Sequence, residues 1–196
     1  MKLGVIFERD GVLSGAGAVN HLHVGARRLQ DFQINEEAIE PLRELKAAGY
    51  VLLATTNQPG SAHDYQVRRD LDRMHALLMS RFPLDGVLVC PHDEADQCPC
   101  RKPKPGLLIE AAFKWHLDLD HSFVVGERWQ DAEAARVAGC TSLLLRSPWN
   151  GPVHHDFIAD SLDEIVRRIL RLAVNNHFAS VRPGVVQHLR PRVERV

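Results

Sequence analysis

No stretch of the chain approaches the roughly eighteen consecutive apolar residues that a bilayer-spanning helix needs, so nothing in it reads as a membrane anchor. Charge of neither sign is in excess: 24 Lys and Arg stand against 25 Asp and Glu, for a formal net charge of −1. That balance removes any general pull toward nucleic acid or an anionic membrane surface. Aromatic residues are scarce, at 6%, and are not interleaved with basic ones, which argues against a nucleic-acid binder. The N-terminus lacks the basic, apolar and small-residue layout of a secretory leader, so a cytoplasmic protein is expected. Internal repeats and low-complexity tracts are absent. Cysteine is limited to four residues, yet three of them fall between positions 90 and 100. In a reducing compartment that crowding favours metal over disulfides.

What is present is the composition of one soluble domain: 196 residues, 45% hydrophobic and 25% charged. Apolar runs alternate with amphipathic segments. Strands are expected at Leu3 to Phe7 and in "VLLAT", "GVLVC", "SFVVG" and "TSLLLR". Helices are expected in "NEEAIEPLRELKAAGY", over 64–82, and in "PGLLIEAAFKWHL", "QDAEAARVAG" and "SLDEIVRRILRLAV". Asn35 suits the N-cap of the first helix and Gly49 its stop. Ser161 and Glu164 have capping-box spacing. Residues 12–32, with Gly15, Gly17 and Gly25, suit a flap or short hairpin. Strand-helix alternation with apolar strands implies an α/β fold, its mostly parallel sheet covered on both faces. The domain is expected over 1–172, followed by an extension over 173–196.

Chemistry should gather beyond the carboxyl ends of such strands. The first strand is followed by Glu8 and Asp10, two apart and therefore on one side of an extended chain, with Arg9 pointing away. The second is followed by Thr56 and Asn57, the third by Arg101 and Lys102, and the fourth by Glu127 and Asp131. Acids for a divalent cation, with Thr, Asn, Arg and Lys for an anion, suggest a phosphate ester held with Mg²⁺. Between the third strand and Arg101, Cys90, His92, Cys98 and Cys100 supply three thiolates and an imidazole. That is a closed tetrahedral set for structural Zn²⁺. Cys140 is expected as a buried free thiol. His21 and His23 could reach a substrate from the flap.

The ordered motifs "RDGV", "TNQPG", "CPH…CPCRKPKPG" and "VVGE…D" resemble those of the haloacid dehalogenase (HAD) superfamily, in its heptose bisphosphate and histidinol-phosphate phosphatase branch. The resemblance implies a three-layer Rossmann-like fold with a minimal cap and a zinc-binding loop. It implies a Mg²⁺-dependent phosphomonoesterase acting on a small phosphorylated sugar or polyol through an acyl phosphate. By position, Glu8 takes the nucleophile's place and Asp10 that of the general acid/base. Thr56 and Lys102 take the second- and third-motif places. Asn57 and Arg101 are expected to bind substrate, and Glu8, Asp10, Glu127 and Asp131 to hold Mg²⁺. A monomer acting on a small substrate, without nucleic acid or membrane, is expected.

The chain departs from this pattern at two places, where Glu8 and Glu127 stand at family aspartates. One extra methylene adds ~1.5 Å of reach, and a displacement of about 1 Å at a reacting atom can cost on the order of 10²-fold in rate. Two readings stay open at this point: a working phosphatase with a glutamate nucleophile, or an impaired relative that binds a phosphorylated ligand or a partner.

Overall fold

The computed structural model describes residues 1–19, 22–61 and 63–179, without side-chain placement for 18, 19, 22, 23 and 173–179. In chain order the elements are β1 (Gly4–Glu8), β2 (Ala16–Val19), β3 (Leu22–Gly25), α1 (Ile39–Ala47), β4 (Val51–Asn57), α2 (Tyr65–Arg81), β5 (Gly86–Cys90), α3 (Gly106–Trp115), β6 (Phe123–Gly126), α4 (Trp129–Ala138), β7 (Thr141–Leu145), β8 (Phe157–Ala159) and α5 (Leu162–Ala179). Six strands form one sheet in the order β5-β4-β1-β6-β7-β8, every neighbouring pair parallel. β2 and β3 form a separate antiparallel hairpin, the flap expected within residues 12–32.

β1 lies between β4 and β6, so both its edges are paired, and helices cover both its faces. Its alternation divides the core. Val5 and Phe7 join one cluster with Leu42 and Leu45 of α1, Met74 and Leu78 of α2, and Ile165 and Ile169 of α5. Ile6 joins the other with Leu107 and Ala111 of α3 and Ala134 and Ala135 of α4. Burying each large apolar side chain contributes on the order of 2 kcal/mol, so this short strand is anchored from both sides. The side on which each later residue emerges is therefore set: Glu8 has the parity of Ile6 and faces the layer of α3 and α4.

Several local expectations hold. Asn35 accepts from the Glu37 amide at 3.3 Å, though the turn it opens is 3₁₀ before α1 begins. Gly49 stops α1 with φ +90°. Asp64, not singled out from sequence, caps α2 by accepting from the amides of Gln66 and Val67. At α5 the Glu164 carboxylate accepts from the Asp160 amide, one residue earlier than the expected partner, and Ser161 Oγ accepts from the Glu164 amide. α5 runs to Ala179, past the boundary expected at 172; residues 180–196 of the expected extension, and His21 with the His23 side chain, lie outside what is described. Among the described residues, no helix is long and apolar enough to cross a membrane.

Candidate active site

Glu8 ends β1 with 1% of its surface exposed, and its carboxylate forms an ion pair with Lys102 Nζ. Lys102 Nζ also lies 2.8 Å from Asp131 Oδ1, on the first turn of α4. Arg128, the N-cap residue of α4, brings Nη2 to 3.5 Å from Glu8 Oε1 and Nε to 4.0 Å from Asp131 Oδ2. Two carboxylates and two cations thus meet in a nearly closed space. Burial pushes the Lys102 amine down to about 8; Asp131 works against that shift and Arg128 adds to it. Burial alone would raise Asp131, but Lys102 and Arg128 hold it below the usual carboxylate range.

The backbone of Lys102 is clamped. Asn57 Nδ2 donates to the Lys102 carbonyl at 3.2 Å, and the Lys102 amide donates to Asn57 Oδ1 at 3.1 Å. Asn57, expected to bind an anion, spends one donor and its acceptor on holding this lysine in place. Arg101 stands half-buried beside it and donates to the His92 carbonyl at 3.2 Å.

Asp10 sits apart from this quartet. The strand ends at Glu8, and the turn that follows is closed by the Gly11 amide donating to the Ser14 carbonyl and by the Leu13 and Ser14 amides donating to the Arg9 carbonyl. The two-residue alternation of an extended chain therefore stops, and Arg9 does not point away. This corrects the expectation. Arg9 is fully buried and donates through Nε and Nη2 to the two Asp10 oxygens at 3.0 Å each. Its Nη1 lies 3.3 Å from His75 Nε2, and its guanidinium lies 5.5 Å from the centre of the Phe32 ring. Burial, then the Arg9 charge, lowers the His75 pKa to about 4, so the ring is neutral and can accept from Arg9. Thr56 Oγ1 and Gln58 Nε2 donate to Asp10 Oδ2 at 3.0 and 2.8 Å. At the base of the flap, a Cβ on Gly25 would come within 2.3 Å of the Asp10 carboxylate carbon, so only glycine lets the hairpin cross so close to this acid.

Glu127 approaches from the end of β6. A Cβ on Gly11, which has φ +87°, would lie 1.9 Å from Glu127 Oε1, so this carboxylate rests directly on the turn after β1. Its carbonyl accepts from Ser147 Oγ at 2.5 Å and Asn150 Nδ2 at 2.9 Å. Arg9, Gln58, Arg128, Ser147 and Asn150 were not singled out from sequence. Arg128 carried a signal, a cation between the two acids Glu127 and Asp131. Gln58, Ser147 and Asn150 act across long sequence separations that leave no local pattern, whereas Arg9 pairs with its neighbour Asp10.

The four acids do not share one tight cluster. Among the described residues, the group of His, Cys, Asp and Glu side chains whose donor atoms converge within 4.8 Å is Cys90, His92, Cys98 and Cys100. A cation nonetheless fits at the acids: Glu8 Oε1 and Oε2 and Asp131 Oδ1 are buried oxygens without a hydrogen-bond donor, compensated by ion pairing alone. Hard oxygen donors of this kind suit Mg²⁺.

In the cysteine cluster, Cys90 Sγ lies 3.6 Å from Cys98 Sγ and 3.7 Å from His92 Nδ1. Cys100 Sγ lies 3.5 Å from Cys98 Sγ and 3.3 Å from His92 Nδ1. A tetrahedron with ~2.3 Å arms has edges of about 3.8 Å, so these four atoms suit one Zn²⁺. The cluster is tied to the active site. Lys104 Nζ donates to the Gln97 and Cys98 carbonyls at 2.7 and 2.9 Å, and the Gly106 amide donates to the Pro99 carbonyl, which fixes both sides of Lys102. Cys140 is buried and free, and burial pushes its thiol up to about 12.

A parallel α/β sheet whose strand ends carry two carboxylates on the first strand, a threonine on the second, a buried lysine and a final acidic pair defines a hydrolase of the HAD class. Residues 99–169 match the HAD-hydrolase-like family model. The chain is 35% identical over 156 residues to the D-glycero-β-D-manno-heptose-1,7-bisphosphate 7-phosphatase of Pasteurella multocida, covering 74% of this chain and 82% of that one. It is 30% identical over 156 residues to the Helicobacter pylori enzyme of the same name, covering 76% and 87%. The crystal structure of a D,D-heptose 1,7-bisphosphate phosphatase from B. bronchiseptica, complexed with magnesium and phosphate, superposes with a TM-score of 0.71 at 26% identity, covering 88% of this chain and 99% of that one. The chain belongs to the HAD phosphatases, in their heptose bisphosphate phosphatase branch.

Proposed function

We propose that this chain is a Mg²⁺-dependent phosphomonoesterase that removes one phosphate from a phosphorylated sugar of the heptose 1,7-bisphosphate kind, acting as a cytoplasmic monomer. The observation that carries the reading is the buried Lys102 ammonium placed between Glu8 and Asp131. Glu8, Asp131 and Glu127 would hold Mg²⁺, which supplies charge neutralisation for a phosphoryl group brought up to a carboxylate. The four-ligand cysteine cluster would hold a structural Zn²⁺.

The chain's own residues do the rest. Glu8 attacks phosphorus, forming an acyl phosphate as the bond from phosphorus to the sugar oxygen breaks. Asp10 gives that oxygen a proton. A water then attacks the acyl phosphate, Asp10 takes the water's proton, inorganic phosphate leaves and the Glu8 carboxylate is restored. Lys102 stabilises the charge on the transferring group in a water-poor setting. Arg9, held by His75, fixes the Asp10 carboxylate from one side, and Thr56 and Gln58 fix it from the other.

The reading is tested by assaying phosphate release from a panel of phosphorylated sugars with and without Mg²⁺. Hydrolysis of a heptose 1,7-bisphosphate that stops after one phosphate and needs Mg²⁺ supports it. Binding of these esters without turnover refutes it and leaves the impaired relative.

A further inference from the structure

Arg128 stands against Glu8 and Asp131, two of the carboxylates that would hold the divalent cation. Glu8 and Asp131 contribute two negative charges, and Lys102 and Arg128 two positive ones, so the buried quartet is already neutral. Glu127, the third ligand proposed above, adds one negative charge, so a doubly charged ion would leave the poorly solvated site net positive, which is opposed electrostatically. One of the resident cations must therefore yield, and the two are held very differently. Lys102 is 5% exposed, its backbone is clamped by Asn57, and its amine makes a 2.8 Å contact with Asp131. The Arg128 side chain is 15% exposed, and its contacts of 3.5 and 4.0 Å exceed N–H···O hydrogen-bond length. Its Nε is buried with no hydrogen-bond partner among the described residues. Only its backbone is fixed, by the amide donating to Asp131 Oδ2 at 3.2 Å. The guanidinium is held by charge rather than by directed bonds, and its exposed edge offers a way out. To make room for the ion it has to move.

We propose that Arg128 is a resident counter-ion that competes with the divalent cation for Glu8 and Asp131. It neutralises the two carboxylates in the metal-free protein and leaves them when Mg²⁺ binds. The inference rests on the Mg²⁺ site proposed above. By linkage, whatever factor Arg128 takes from Mg²⁺ affinity, Mg²⁺ takes from the hold of Arg128 on Glu8.

The test is calorimetric titration of MgCl₂ into the full chain, dialysed against Mg²⁺-free buffer without chelator so that the cysteine site is untouched, for wild type, Arg128→Gln and Arg128→Lys. Thermal melts with and without MgCl₂ accompany it. Arg128→Gln is expected to bind Mg²⁺ about tenfold more tightly than wild type, within the usual range of coupling between sites. Its metal-free melting temperature falls and its Mg²⁺-induced rise grows, because removing Arg128 leaves excess negative charge that only the metal offsets. Arg128→Lys, which keeps the charge but shortens the reach, is expected to lie between the two. It carries the test if the glutamine variant fails to fold. Unchanged or weaker Mg²⁺ binding in the variants, with clear binding by wild type, overturns the competition and leaves the Mg²⁺ site standing. No Mg²⁺ binding by any of the three overturns both.

Discussion

Glu8→Asp tests whether the longer side chain overshoots. The backbone at Glu8 cannot follow a shorter side chain, because β1 pairs on both sides, Glu8 is in register with Thr55, and the Arg9 amide donates to the Thr55 carbonyl at 3.0 Å. Shortening therefore retracts the carboxylate by ~1.5 Å along its own direction. The 3.5 Å contact with Arg128 would open to about 5 Å, and space beside Lys102 would be released. That is where a transferring phosphoryl group must sit if Lys102 is to neutralise it. Since a misplacement of about 1 Å costs on the order of 10²-fold, kcat of Glu8→Asp should rise by roughly 10- to 100-fold. The assay is steady-state phosphate release at saturating Mg²⁺, with a thermal melt to confirm folding. The variant should melt slightly lower, since a buried ion pair has been loosened. A folded Glu8→Asp with kcat below wild type would refute the overshoot argument and show that this backbone is built for glutamate.

Lys102 acts on phosphate only while charged, and its pKa is brought down to about 8 by burial. kcat/KM should therefore fall about tenfold per pH unit above pH 8, and a pH-rate profile for Lys102→Arg should lack that limb whatever its residual rate. His75 has its pKa lowered to about 4, by burial first and Arg9 second. Between pH 4 and the unfolded value of about 6.5 the unfolded chain binds more protons than the folded one, so stability rises with pH across that window and is lost on acidification. Melting temperatures of His75→Gln, which can still accept from Arg9, should change less over the same range. Cys98→Ser should lower the metal content measured by elemental analysis and weaken phosphate binding, because the cysteine loop holds both flanks of Lys102. The sheet should remain folded by circular dichroism, and unaltered phosphate affinity in a metal-depleted variant would contradict the coupling.

Where apolar periodicity and turn chemistry act locally, the fold could be read from the chain. The Val5-Ile6-Phe7 run, the cap at Asn35 and the stop at Gly49 emerge as sequence reasoning expects. β8 was missed because Phe157–Ala159 is three residues long, sits at the sheet edge and follows a stretch of glycine, proline and histidine. α5 continues through Asn175 and Asn176, polar residues at which the apolar pattern lapses. At the site, Glu8, Asp131 and Lys102 meet at the carboxyl edge of a parallel sheet, which the alternation of elements implied; the strand order that makes them neighbours was not read from the sequence. Arg9 was misjudged because the period of an extended strand was carried one residue too far. A charged residue between two carboxylates looks solvent-bound, yet here Asp10, His75 and the Phe32 ring give the guanidinium enough partners to be fully buried. The roles of Ser147, Asn150 and Gln58 arise only from tertiary contact, and no spacing announces them.

The central claim is that Glu8 carries the phosphoryl group during turnover. An acyl phosphate can be trapped by rapid quenching during hydrolysis of a heptose 1,7-bisphosphate with Mg²⁺, followed by borohydride reduction and mass spectrometry of the peptides. The account predicts that the Glu8 side chain is recovered as the reduced alcohol, that the product requires both substrate and Mg²⁺, and that Glu8→Gln neither forms it nor releases phosphate. Phosphate release at full rate with Glu8 recovered unmodified, or undiminished in Glu8→Gln, would contradict it.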